Sequence, residues 1–118
     1  MEFQKDQAIY LQIADMVFEN ILAGLWSEDD KIPSVRVTAV TLEVNPNTVM
    51  RTYTYLQEKG LIYNRRGIGY FIAQGALEKT KILEKEEFIQ NHLPQLFKMM
   101  DLLNIDFNEL RILYDSQH

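Results

Sequence analysis

Apolar residues return every four positions near the start of the chain, at Ile9, Ile13, Val17 and Ile21, with Leu11, Phe18 and Leu22 widening the stripe. A stripe of that width predicts an amphipathic helix to about Leu22, capped by Asp6 and ended by Gly24. Leu25 to Asp30 then reads as a connector and Lys31-Ile32 as a very short strand. Pro33 and Ser34 mark a second start, with Ser34 as N-cap, and Val35, Val37, Ala39, Val40 and Leu42 are expected to be its buried surface. The β-branched residues lower helix propensity there, so packing must hold this helix.

The third start is sharper. Asn45 suits an N-cap, and Pro46 suits the first helical position, where its missing N–H costs nothing. Val49, Tyr53 and Leu56 define one face, while Asn47, Arg51, Thr54 and Glu58 fall on the opposite one. Such a polar face ordinarily just meets water. The short segment between Leu42 and Asn45 changes that, because a tight turn between two helices lets the second protrude into a DNA major groove while the first buttresses it.

Gly60 should end the third helix. Leu61 to Arg65 and Ile68 to Ala73 read as antiparallel strands about a turn at Arg66-Gly67. Gln74 and Gly75 mark a boundary. Beyond it Leu77, Leu83, Phe88, Leu93, Leu96, Phe97, Met100 and Leu103 outline one long helix, bent near Pro94. Asn104-Ile105 makes a turn, and Asp106 with Glu109 opens a last helix carrying Leu110, Ile112 and Leu113. The expected fold is mainly α with a small β-hairpin. A winged helix-turn-helix occupies residues 1–75 and a two-helix dimerisation region residues 76–118. That tail is too apolar for a linker and too short to close a core, so Leu83, Phe88, Leu93, Leu96, Phe97, Met100, Leu103, Leu110 and Leu113 are the expected contacts of a homodimer.

Composition narrows the function. The 118 residues include no cysteine, which excludes disulfides and thiolate chemistry. His92 and His118 make no distinctive metal-ligand set, there is no glycine loop for phosphate, and Ser34 is explained as a cap, so no enzyme and no cofactor is expected. No apolar run is long enough for a bilayer, and the N-terminus lacks the pattern of a signal peptide, so the expectation is a cytoplasmic protein without a membrane partner. The net charge of −5 argues against a non-specific coat for nucleic acid. It still permits a sequence-specific reader, because Lys31, Arg36, Arg51, Lys59, Arg65 and Arg66 all fall in the DNA-binding segment.

From Tyr10 to Phe71 the chain resembles the DNA-binding domain of the GntR family of bacterial transcription regulators. The resemblance rests on Tyr10-Leu11-Gln12-Ile13, Ile32-Pro33-Ser34-Val35-Arg36, Asn45-Pro46-Asn47-Thr48-Val49, Tyr53, Leu56, Gly60-Leu61-Ile62 and Gly67-Ile68-Gly69-Tyr70-Phe71. Asn-Pro-Asn-Thr-Val and the short tail are similar to the YtrA branch, which implies a homodimeric repressor acting on an inverted-repeat operator, often at transporter operons. The resemblance implies phosphate contact by Arg36, groove contact by Asn45, Asn47, Thr48 and Arg51, and a wing tip at Arg66-Gly67. Pro46 departs from the basic residue common in the family, so an operator from a larger branch does not transfer.

On chemistry alone Lys31, Arg36 and Thr48 suit phosphate, Arg51 suits guanine and Asn47 suits adenine. Arg65 and Arg66 either form a solvated turn or touch phosphate and minor groove, and the preceding helices favour contact. Ser34 and Gly67 complete the candidate DNA-binding set. A winged-helix protein-interaction module remains the alternative. A small-molecule effector is a further candidate partner, with Trp26, Tyr10 or Tyr114 as lining.

Overall fold

A computed structural model describes residues 7–118. It is mainly helical with one two-stranded hairpin: α1 (Ile9–Leu22), α2 (Val35–Leu42), α3 (Pro46–Glu58), β1 (Ile62–Arg65), β2 (Gly69–Ile72), α4 (Ala76–Glu87), a π-helical turn (Phe88–His92), α5 (Leu93–Leu103) and α6 (Phe107–Ser116). The chain divides into two compact units, Met1–Ile82 and Leu83–His118, so the beginning of α4 belongs with the first.

In the first unit, α1 buries Ile13, Ala14, Val17, Phe18 and Ile21, and α3 buries Val49, Tyr53 and Leu56. The expected cap Asp6 lies outside the described residues; Ala8 holds the N-cap position of α1 without a side-chain bond. Gly24, at φ +77°, ends α1. Its N–H donates to the Ile21 carbonyl and the Leu25 N–H to that of Asn20, which satisfies two carbonyls the helix end would leave open. Gly60 closes α3 in the same way, through Leu56 and Gln57.

The buried surface of α2 differs from expectation. Thr38 and Ala39 are buried, while Val37 and Val40 are 53% and 74% exposed. A helix can bury only one stripe, and positions 35, 38, 39 and 42 form it at i, i+3, i+4 and i+7. Thr38 belongs inside because its hydroxyl is satisfied there. Tyr53 donates its O–H to the Pro33 carbonyl at 2.6 Å and receives the Thr38 hydroxyl at 3.0 Å. These bonds pin the entry of α2 to the middle of α3. Burial pushes the Tyr53 phenol above its ordinary 10.0.

The hairpin pairs Ile62 with Ile72 through Arg65 with Gly69. Instead of a separate strand, Lys31 adds a single antiparallel bridge to Phe71, flanked by bonds from the Ile32 N–H to Tyr70 and from the Ile72 N–H to Asp30. That third edge, together with buried Ile32, Leu61, Ile62 and Ile72, gives a small hairpin the packing it needs.

In the second unit the expected long helix is continuous but changes its winding before Pro94. The Leu93 N–H reaches back five residues to the Phe88 carbonyl. Proline offers no N–H and its ring crowds the carbonyl four residues back, so the preceding turn widens rather than breaks. Asn104, at φ +57°, ends α5, and the Asp106 carboxylate accepts the Glu109 N–H at 2.8 Å to open α6.

Candidate nucleic-acid interface

The second helix-turn-helix element begins with Asn45, whose Oδ1 accepts the Asn47 N–H at 2.8 Å and sets the first turn of α3. With the core face fixed by Val49, Thr52, Tyr53 and Leu56, the 3.6-residue period turns Asn47, Arg51, Thr54 and Glu58 outward, and all four are exposed. Ser34 caps α2 by accepting the Val37 N–H at 3.1 Å. Arg36 stands exposed on the first turn of α2. The turn between α2 and α3 is closed by Glu43 at φ +56°, an unusual conformation for a residue with a Cβ.

The sequence-derived candidates fall into three groups. Asn47, Thr48 and Arg51 line one open cleft of about 320 Å³ together with Ile9 and Tyr10 from the start of α1. Lys31 and Arg65 flank the hairpin: Lys31 lies against the bare face of Gly69, and the Arg65 guanidinium sits 5.4 Å from the centre of the Phe71 ring. Arg66 and Gly67 form the exposed tip. Gly67 takes φ +77°, with open space where a side chain would be. Arg36 joins none of these groups. Among the described residues, Lys31, Arg36, Arg51, Arg65 and Arg66 have no carboxylate partner.

Tyr10 was missed as a member of this surface. The Arg51 guanidinium lies over its ring at 3.9 Å from the centroid. The Tyr10 carbonyl accepts the Thr52 hydroxyl at 2.8 Å, and its ring meets that of Tyr55 edge to face. No local pattern announces a contact between residues so far apart in sequence; it follows only once α1 is packed on α3.

Residues 9–72 match the family described as "Bacterial regulatory proteins, gntR family". The chain belongs to the GntR family. GntR-family helix-turn-helix proteins bind DNA, generally as dimers, to regulate transcription, and they are not enzymes. The chain is 38% identical over 92% of its length to the HTH-type transcriptional regulator YhcF of Bacillus subtilis, covering 88% of that protein. It is 40% identical over 75% of its length to the HTH-type transcriptional repressor YtrA of the same organism, covering 67% of it. Among solved structures, a putative GntR-family regulator from Bacteroides thetaiotaomicron is 45% identical, with a TM-score of 0.75 over 92% of this chain and 95% of that one. AraR(DBD), solved in complex with an operator, gives a TM-score of 0.55 at 26% identity over 61% of this chain and 93% of that one.

Along the rest of the chain the candidate dimer residues are largely uncovered. Phe88, Leu96, Phe97, Leu103 and Leu113 are exposed, Leu83, Leu93 and Leu110 are half-buried, and Met100 is buried. No helix among the described residues is long and apolar enough to cross a membrane.

Proposed function

We propose that this GntR-family protein is a homodimeric repressor of the short YtrA-like branch that reads an inverted-repeat operator in double-stranded DNA. The observation that carries this reading is the outward face of α3, where Asn47, Thr48 and Arg51 are grouped and Arg51 has no carboxylate partner among the described residues. An exposed cation without a carboxylate partner can meet a polyanion without first breaking an ion pair. Similarity to the repressor YtrA supports the direction of regulation, and similarity to operator-bound AraR(DBD) supports DNA as the partner.

Roles follow from chemistry. Lys31, Arg36 and Thr48 hold phosphate, which fixes register without reading sequence. Arg51 offers two parallel donors to guanine O6 and N7, and Asn47 pairs with adenine; Asn45 and Ser34 shape and flank the two helix starts. Arg65 and Arg66, with Gly67 between them and β2, reach phosphate at the rim of the adjacent minor groove.

The exposed apolar residues of α5 and α6 support the dimer. Phe97, Leu103 and Leu113 lie in water in the isolated chain, and a second copy is the partner always present to cover them. Two-fold pairing presents two copies of α3 to half-sites about one helical turn, roughly 34–36 Å, apart or a multiple of it. Any effector would act by changing that spacing.

Selection of bound sequences from a random duplex pool tests the reading. A palindromic sequence should be enriched, and Arg51→Ala should lose more affinity on it than on a scrambled duplex, while Arg36→Ala loses on both. Failure of the folded wild-type dimer to enrich any sequence would favour a protein-interaction role and overturn the proposal.

A further inference from the structure

We infer that Tyr10 is a positioning residue for DNA readout, its ring forming a fixed shelf beneath the Arg51 guanidinium at the leading end of α3. The inference rests on the DNA-reading proposal and adds to it a residue outside both helices of the helix-turn-helix. Arg51 lies 3.9 Å from the Tyr10 ring centre, within the range of a cation–π contact. The shelf is itself held at two points. The Thr52 hydroxyl, completely buried, donates to the Tyr10 carbonyl at 2.8 Å, and Tyr55 packs edge-on against the ring at 6.2 Å between centroids.

The geometry suits an arginine that must bond something else. A guanidinium donates in its own plane, while its faces have no hydrogen-bonding capacity. Stacking one face on a ring therefore leaves the donor edges free. They are free here: among the described residues no carboxylate pairs with Arg51, and the cleft beside it is lined by Asn47, Thr48, Ile9 and Tyr10. A long side chain normally gives up rotational freedom when it docks on a base edge or a phosphate. Held in advance by the ring, Arg51 gives up less, and the difference appears as affinity for the correct duplex. The bland alternative is that Tyr10 merely fills the junction of α1 and α3, in which case only its shape matters.

The test uses the full chain and the duplex selected with wild-type protein. Tyr10→Phe keeps the ring and should stay within about two-fold of wild type. Tyr10→Leu keeps apolar bulk without a π face and should weaken selected-duplex binding about three- to ten-fold, with scrambled-duplex binding little changed. In an Arg51→Ala background, Tyr10→Leu should have no further effect. Fluorinated phenylalanines at position 10 keep the ring shape while draining its negative face, and affinity should fall progressively along that series. This series carries the test should Tyr10→Leu fail to fold. Multiplying losses in the double variant, equal losses on both duplexes, or a flat response to fluorination would overturn the inference while leaving DNA reading intact. A wild-type protein that selects no duplex would remove the DNA reading, and this inference with it.

Discussion

Tyr53→Phe removes one oxygen atom from the point where the two helices of the helix-turn-helix are joined. The ring stays, together with its edge-to-face contact with Tyr70 at 4.9 Å. What disappears is the donor to the Pro33 carbonyl at 2.6 Å and the acceptor for the Thr38 hydroxyl at 3.0 Å. A buried polar group left unpaired costs about 1–3 kcal/mol. Thr38 can recover part of this by turning its hydroxyl toward a carbonyl of its own helix, and the carbonyl of exposed Pro33 can recover part only by turning to water. About 2 kcal/mol is the expected loss, or roughly 6–10 °C in Tm for a chain of this size. Urea unfolding at one fixed protein concentration measures it without confusing folding and assembly. Thr38→Val combined with Tyr53→Phe should cost less than the sum of the single changes, because the pair is then removed together.

The same residue predicts a pH dependence. Burial raises the Tyr53 phenol above 10.0, so the folded chain stays protonated where the unfolded chain ionises. Its contribution is complete below about pH 10, the unfolded value, and is lost as pH rises through the folded value. Tyr53→Phe should therefore blunt the alkaline fall in stability. A loss under about 0.5 kcal/mol at pH 7, with additive single changes, would refute the argument that this hydroxyl fastens α2 to α3.

Glu43→Gly should stabilise the fold by about 0.5–1 kcal/mol, because Glu43 holds φ +56° at a position where glycine avoids the Cβ strain; thermal unfolding would show a rise in Tm. Arg65→Ala with Arg66→Ala should reduce the magnitude of the salt slope of DNA binding by about 1–2 units with little change in Tm, and an unchanged slope would return the wing tip to solvent. Phe97→Glu places a charge on a half-exposed apolar face and should shift the purified chain toward monomer in light scattering; a dimer of undiminished stability would put the interface elsewhere.

The starts of α2, α3 and α6 were legible in the sequence because each depends on one short polar side chain at a fixed offset. Ser34, Asn45 and Asp106 each accept the N–H expected of an N-cap. The exposed face of α3 was legible because Val49, Tyr53 and Leu56 fix its phase without ambiguity. The phase of α2 was not, since Val35, Val37 and Val40 offer two incompatible apolar stripes. The choice between them is made by a hydroxyl on α3 that satisfies Thr38. Pro94 marked where the long helix must yield, but a kink and a widened turn relieve the same clash, and the sequence does not distinguish them. Arg51 was legible as a cation on the outward face of α3, and its contact with Tyr10 was not, because Tyr10 reaches it only through the packing of α1 on α3.

An acidic chain can still hold DNA through a local cationic face. The net charge of −5 repels duplex DNA at long range, so any attraction must come from a local face. The ion pair of Lys81 with Glu78 and the contact of His92 with Glu87 both lie beyond the wing. Among the described residues, Lys31, Arg36, Arg51, Arg65 and Arg66 of the helix-turn-helix and hairpin have no carboxylate partners, while Glu58 sits at the far end of α3 from Asn47 and Arg51. Salt screens exposed charges beyond about 10 Å, so on the DNA-reading proposal these cations act on DNA that has already docked. On the DNA-reading proposal, a protein so charged should bind random duplex weakly and gain affinity where base edges can also be read. On that proposal, selectivity rests as much on the acids that weaken the wrong complex as on the arginines that hold the right one.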